Sequence, residues 1–567
     1  MEPSRSTDTT DRVADLVSGL GVAARPLREA LAALVAGPVT LDDLIRRFAV
    51  PRRLLERLLD ALSGDLETTG GHHTVRTGAR TAYRKRFALD RLDRLALPGP
   101  TDAPSVAGDM ARRIADVVAG APKAVQALDH VPATPVTALR RALWLDGTFD
   151  LDDATLVCIG DHDLTSIAMC LVNPRVRVVV ADIDEDLLAY VDQQAAALDL
   201  PILTAYADFR AGLPSAAREV GDLVFTDPPY TPEGVRLFLT RGLESLRDRR
   251  NGRLVMAYGH GRHQPALGLK VQREIVGLSL ATEAILPHFN RYVGAQAIGS
   301  ASDLYVCQPT AATWKSLPRA AQEAVTIYTH GPQSLEGGRP DARDVMTALL
   351  DAAAGPQELE VGAVVALQRP SGSGGAPTGI ALADVFAGRA AAAIPNARTS
   401  AVAVHLVGDP NTWLLRTLLA LDVERLALAV QNTHPAVTSQ AGQQELQRLV
   451  GAKWRLRFRR STPDSRHAIV EAVAVPADGL PPADIARRFL LDNAHRRLGT
   501  AAREALVKAS RRLDDAPLTK NEARLLVDES GVPPRVLETP LIELPVHRLA
   551  SVLDAVGEVA AAERPAN

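Results

Sequence analysis

Apolar positions recur at helical spacing through the first hundred residues, then give way from about Thr155 to short apolar runs alternating with amphipathic stretches. The runs read TLVCIG, RVRVVVAD, PILTAYAD, DLVFTD and GRLVMAYGH, with ATEAILPHF and DLYVCQP closing the series. Strands interleaved with helices in this way predict a doubly wound α/β sheet. A polar start over residues 1–12 is expected to be disordered. A proline- and glycine-rich stretch, PSGSGGAPTG from Pro370 to Gly379, predicts a flexible junction before a further α/β stretch. From about Pro481 the pattern is helical, with LTKNEARLLVDESGVPPRVLETPLIEL as a small all-α element.

Near the N-terminus, two leucine- and alanine-rich helical segments flank GPVTLDDLIRRFAVPRRLLERLLDAL. Thr40 is placed to cap a helix over Leu41 to Phe48, Pro51 opens the next helix, and ETTGGHHTVR supplies a hairpin. This arrangement predicts a winged helix. Its Arg46, Arg47, Arg52 and Arg53 are balanced by Asp42, Asp43, Glu56 and Asp60, which favours a docking or dimerisation module over DNA binding. Five strands with interposed helices and a closing pair follow the order of a class I methyltransferase-like domain. The expected organisation is therefore a disordered start (1–12), a winged helix (13–95) and a helical connector (96–150). A Rossmann-like catalytic domain (151–320) follows, then a connector (321–379), a degenerate α/β domain (380–500) and a helical tail (501–567).

The degenerate domain rests on an internal echo. VCIGDHDLTSIAMCLVNPRVRVVVAD aligns without gaps on HLVGDPNTWLLRTLLALDVERLALAV, pairing Gly160 with Gly408 and Asp161 with Asp409.

With 567 residues, 46% hydrophobic and 23% charged, the chain has the means to bury several cores. A net charge of -3 argues against a general polyanion-binding surface, so nucleic acid is a disfavoured partner. Cys158, Cys170 and Cys307 sit in apolar contexts without metal-ligand spacing, which predicts buried thiols and no metal. The absence of a long apolar run and of an apolar signal core leads to the expectation of a cytoplasmic chain without membrane contact.

Candidate chemistry gathers at the carboxyl ends of the strands, where ligands bind in open α/β sheets. The first strand leads into GDHDLTS, with one glycine, Gly160, and two carboxylates, Asp161 and Asp163, where a phosphate would sit. That loop favours a cation over an anion, although an acid at a helix start also stabilises the helix by itself. Asp182 ends the second strand at the position that accepts from ribose hydroxyls, Ile183 follows as a cover for an adenine face, and Asp208 ends the third as an acceptor for the adenine amino group. The fourth strand runs into Asp227, Pro228, Pro229 and Tyr230, a stiff loop that fixes an acid and an aromatic ring. Upstream, Thr137 and Arg140 lie on a helix that either closes over the pocket or serves only as a linker.

Taken together, DHVPATPVTALRRA, IGDHDLTS, VVVADIDEDLL and FTDPPYTPEGVRLFLTRGLESL resemble the branched-chain polyamine synthases over roughly residues 20–310. The resemblance implies a winged helix, a Rossmann-like catalytic domain, decarboxylated S-adenosylmethionine as co-substrate with no tightly bound cofactor, and a polyamine such as spermidine as acceptor. The family's acidic GDDD loop maps onto Gly160, Asp161, His162 and Asp163, with His162 as a departure. Asp161 and Asp227 become candidate bases, His162 a candidate shuttle, and Tyr230 a wall for the cationic chain. Two other readings stay open: an S-adenosylmethionine-dependent N-methyltransferase carrying the same DPPY motif, and a winged-helix regulator with an inactive core. A homodimer also stays open.

Overall fold

The computed structural model describes residues 5–562 apart from 94, 105–107, 126–127, 262, 295–297, 322–341, 371–376, 395–399 and 512–516. The polar start, expected to be disordered, enters a helix at Arg5 that runs to Ser18. Val13 accounts for the difference, because it is fully buried among Leu31, Leu34, Leu55 and Leu58 and ties the segment to the neighbouring helices.

Thr40 Oγ1 accepts the Asp43 amide at 3.1 Å and caps the helix Leu41–Phe48, while Pro51 precedes the helix Arg52–Ala61. A three-stranded sheet follows in the order β1-β3-β2, from β1 (Val39–Thr40), β2 (Leu66–Thr69) and β3 (His72–Val75). Its hairpin turns on Gly70 and Gly71, at φ of 57° and 76°, the left-handed pair that a two-residue loop requires.

The central sheet contains β4 (Thr155–Ile159), β5 (Arg177–Asp182), β6 (Ile202–Tyr206), β7 (Leu223–Thr226), β8 (Arg253–Tyr258), β9 (Leu280–Arg291) and β10 (Ala301–Pro309). Its order is β6-β5-β4-β7-β8-β10-β9, with β10 antiparallel to both its neighbours. This is a doubly wound Rossmann-like sheet. Every residue of β4 and β7 is buried, as strands covered by helices on both faces must be. Alternation divides them: Leu156 and Cys158 join one core, Val157 and Ile159 the other. Cys158, Cys170 and Cys307 are buried free thiols, and burial pushes Cys170 up to about 12.

A second α/β sheet holds β11 (Val361–Ala366), β12 (Thr378–Ala381), β13 (Ala401–His405), β14 (Arg425–Gln431), β15 (Trp454–Arg459) and β16 (His467–Ala474), in the order β12-β11-β13-β14-β16-β15. Four parallel strands are followed by an antiparallel pair, which repeats the central order without a counterpart of the edge strand β6. In that correspondence β13 stands in the place of β7, not of β4 as the sequence echo pairs it. The echo has a local cause: Asp161 and Asp409 both follow a strand and both accept the amide five residues on, Ser166 at 3.1 Å and Leu414 at 2.9 Å. The junction expected over 370–379 lies largely outside the described residues. Four helices, Pro482–Asp492, Leu498–Ser510, Lys520–Glu529 and Val546–Ala561, make up most of the end of the chain. Among the described residues no helix is long and apolar enough to cross a membrane.

Candidate active site

At the carboxyl ends of β4, β5, β6 and β7 lies a cavity of about 380 Å³. Gly160 leaves β4 at φ 73°, with its amide bonded to Ala181 O at 2.9 Å. Its missing side chain matters, since a Cβ there would come within 3.4 Å of Phe238. Asp182 uses one oxygen for the Asp161 amide and the other for the Asp184 amide, both at 2.9 Å, and so ties the ends of β4 and β5 together. Burial pushes Asp161 up to about 7, against two hydrogen bonds from Ser166 and with the help of Asp182 and Asp163.

Arg141 organises the acids. Its fully buried guanidinium donates to Asp163 Oδ2 and Asp227 Oδ2, each at 2.7 Å, and its Nε donates to Asn290 Oδ1 at 2.8 Å. Asp163 also accepts the Ala133 amide at 2.7 Å. Burial alone would raise Asp163, but Arg141 and that amide outweigh it and hold the carboxyl below its usual range. Asp227 goes the other way: burial pushes it up, Arg141 opposes, and the nearby Asp163 charge adds to the rise. Tyr292 donates to Asp227 at 2.7 Å, Tyr230 donates at 3.1 Å, and the two phenol oxygens are 2.9 Å apart.

Of the residues singled out from the sequence, Gly160, Asp161, His162, Asp163, Asp182, Ile183, Asp227, Pro228, Pro229 and Tyr230 all line this one cavity. Three stand outside its lining. Thr137 exchanges hydrogen bonds with the backbone of Arg291, and Arg140 lies over the Phe289 ring at 4.7 Å. Asp208 is bound by Arg210, through Nε at 3.0 Å and Nη2 at 2.7 Å, and by Trp413 Nε1 at 2.7 Å. His162 stacks on His130 with ring centroids 4.2 Å apart, and burial first and His162 second hold His130 well below the ordinary imidazole range.

The sequence reading missed Arg141, Tyr292 and His130. The only available signal for Arg141 was its place four residues after Thr137, on the same helical face as that buried threonine. Among the described residues no group of three or more His, Cys, Asp or Glu could hold a metal ion.

A family model described as the branched-chain polyamine synthase A C-terminal domain matches residues 109–322. Over these residues the chain is similar to the branched-chain polyamine synthases. An uncharacterized protein of Methanocaldococcus jannaschii is 34% identical over 174 residues, 30% of this chain and 43% of that one. The N(4)-bis(aminopropyl)spermidine synthase of the same organism is 30% identical over 192 residues, 33% of this chain and 53% of its own. The synthase of Thermus thermophilus is 29% identical over 241 residues, 40% and 66% of the two chains. This chain thus spans about half the length of the first curated relatives it matches. The structure of the Thermus thermophilus synthase in complex with N4-aminopropylspermidine and 5'-methylthioadenosine has 22% identity and a TM-score of 0.33. It covers 59% of this chain and 98% of that one.

Proposed function

We propose that this protein is an aminopropyltransferase that moves the aminopropyl group of decarboxylated S-adenosylmethionine to an amine of spermidine or a related polyamine, releasing 5'-methylthioadenosine. One observation carries the reading: the described lining of the cavity holds Asp129, Asp161, Asp163, Asp182 and Asp227 and neither Lys nor Arg. Arg141, beside the cavity, has its donors turned to Asp163, Asp227 and Asn290, so it offers nothing to the α-carboxylate of ordinary S-adenosylmethionine. A carboxylate there meets only like charge in a partly desolvated site, while an ammonium meets attraction. The names of the relatives, N(4)-bis(aminopropyl)spermidine synthases, support aminopropyl transfer to a polyamine.

In this reading Asp182 and Ile183 receive the nucleoside, and Asp161 and Asp163 attract the ammonium of the aminopropyl arm. The acceptor nitrogen must first lose a proton, and Asp227, raised by burial, is matched to that task near neutral pH. The nitrogen lone pair then forms a bond to the carbon beside the sulfonium. The carbon–sulfur bond breaks, and its electron pair stays on sulfur as a neutral thioether. Tyr230, its hydroxyl anchored on Asp227, presents its ring to the cationic chain. Alignment supplies most of the acceleration, since the displacement needs no covalent intermediate.

The flanking regions belong to the same proposal. Residues 13–95 form a winged helix that docks or dimerises, 96–150 a connector and 151–320 the catalytic domain. The degenerate copy of its fold, expected over 380–500, starts earlier, at β11 (Val361–Ala366) inside the expected connector 321–379, because that strand pairs with β12 and β13. A helical tail, expected over 501–567, follows it. The shared strand order supports the copy, and the hairpin of β2 and β3 supports the wing. The test is mass spectrometry of the protein incubated with decarboxylated S-adenosylmethionine and a panel of polyamines. A product heavier by one or more aminopropyl units is expected. Unchanged amines across the panel would reject the assignment.

A further inference from the structure

The C-terminal unit meets the central sheet at its edge strand β6, beside the loops that wall one end of the cavity. Ala207 and Phe209 line that cavity, and Asp208 between them does not. The Asp208 side chain is buried and accepts the Trp413 indole N–H at 2.7 Å across 205 residues of chain. Arg210 closes the unit, bonding both oxygens of Asp208 while its guanidinium lies 4.7 Å from the centroid of the Trp413 ring.

Trp413 is itself held. Asp409 accepts its amide and that of Thr412, each at 2.8 Å, which fixes the first turn of the helix Trp413–Ala420. One residue earlier, the hydroxyls of Thr412 and Tyr206 are 2.8 Å apart. The neighbouring loop, after β5, is gripped in the same way. Glu185, three residues past Asp182, pairs with Arg416 at 2.6 Å and accepts the Val546 amide at 2.8 Å, and Arg416 lies 4.1 Å from the Tyr206 ring centroid.

The loop after β5, assigned above to the nucleoside, and the loop after β6, whose Ala207 and Phe209 line the same cavity, therefore take outer support from residues 409–416 and 546. We propose that the C-terminal unit is a positioning clamp for the nucleoside end of the cavity, with Trp413 as its principal residue. The clamp rests on the proposed nucleoside binding for its purpose but not for its geometry. Asp208 serves as the handle by which the clamp holds Ala207 and Phe209 against the ligand. Trp413 touches no reacting atom, so it sets donor binding rather than the chemical step.

The experiment compares the full-length protein with Trp413→Phe, which keeps an aromatic ring but removes the N–H together with part of the indole's volume, and with Thr412→Val, which cuts the second tie at the same seam at nearly unchanged volume. Calorimetry with 5'-methylthioadenosine is expected to show affinity about tenfold weaker for Trp413→Phe and about threefold weaker for Thr412→Val, as lost hydrogen bonds to a charged and a neutral partner require. Amide exchange is expected to quicken over residues 206–212 and 183–188 in both. Affinities within about twofold of the parent protein would overturn the clamp whatever the exchange shows. If the parent protein binds no methylthioadenosine, the nucleoside reading falls, and exchange decides alone: unchanged rates over 206–212 would overturn the clamp.

Discussion

Asp163 and Asp227, 64 positions apart in sequence, share one guanidinium: Arg141 reaches Asp163 through Nη1 and Asp227 through Nη2, each at 2.7 Å. The pairing separates their titrations, holding Asp163 low and leaving Asp227 raised. In the proposed mechanism the first carboxylate stays charged to hold a cation while the second takes a proton.

Removing the shared cation tests its structural weight. Arg141→Ala leaves two buried carboxylates unpaired and is expected to cost about 3–5 kcal/mol of stability. Chemical denaturation followed by circular dichroism checks this, and a loss under about 1 kcal/mol would show that the acids find other partners.

The two acids given direct roles are expected to fail differently. Asp227→Asn lowers kcat by at least about a hundredfold, the scale of a lost positioned base. Asp161→Asn lowers turnover by a similar factor, about that of a lost orienting charge, with a larger rise in the donor KM. Steady-state kinetics with varied donor and acceptor separate the two, and near-parent rates in either variant make that acid structural.

Stability should carry the mark of Asp161. Its folded pKa, pushed up to about 7, lies above the ordinary carboxylate value, so the folded state binds the extra proton between these limits. Its contribution is fully present below about pH 4 and is lost as pH rises through about 7. Urea denaturation at pH 4.5 and pH 7.5 is expected to show the parent losing more stability across that interval than Asp161→Asn, by a few kcal/mol at most. Equal slopes would contradict the buried, raised carboxyl.

Where partners are local, the sequence was readable. The cap by Thr40 on the Asp43 amide and the stiff loop in which Tyr230 reaches back to Asp227 each depend on neighbours within a few positions, and each stands where the pattern put it. Asp208 has the same appearance as Asp182, an acid ending a strand, yet its partner Trp413 lies 205 residues away, and no local pattern announces that. Arg141 was hidden for the same reason, with Asn290 149 positions distant. The echo of Gly160 at Gly408 illustrates the converse error. A capping aspartate after a strand looks alike wherever it sits in a sheet, and only strand pairing reveals that β13 takes the place of β7.

The second sheet, proposed as a degenerate copy, is expected to bind no donor. Titration calorimetry of the whole chain with 5'-methylthioadenosine should give one site per chain, and two equivalent sites would overturn the assignment of β11 to β16 as a supporting unit.

The most direct measurement of the central claim offers the protein the two donors side by side, each with spermidine, and quantifies the nucleoside released. The account predicts 5'-methylthioadenosine from decarboxylated S-adenosylmethionine and no turnover of the ordinary donor, because the described lining offers an α-carboxylate five aspartates and neither Lys nor Arg. S-adenosylhomocysteine formed from ordinary S-adenosylmethionine, with no methylthioadenosine from the decarboxylated donor, would contradict it.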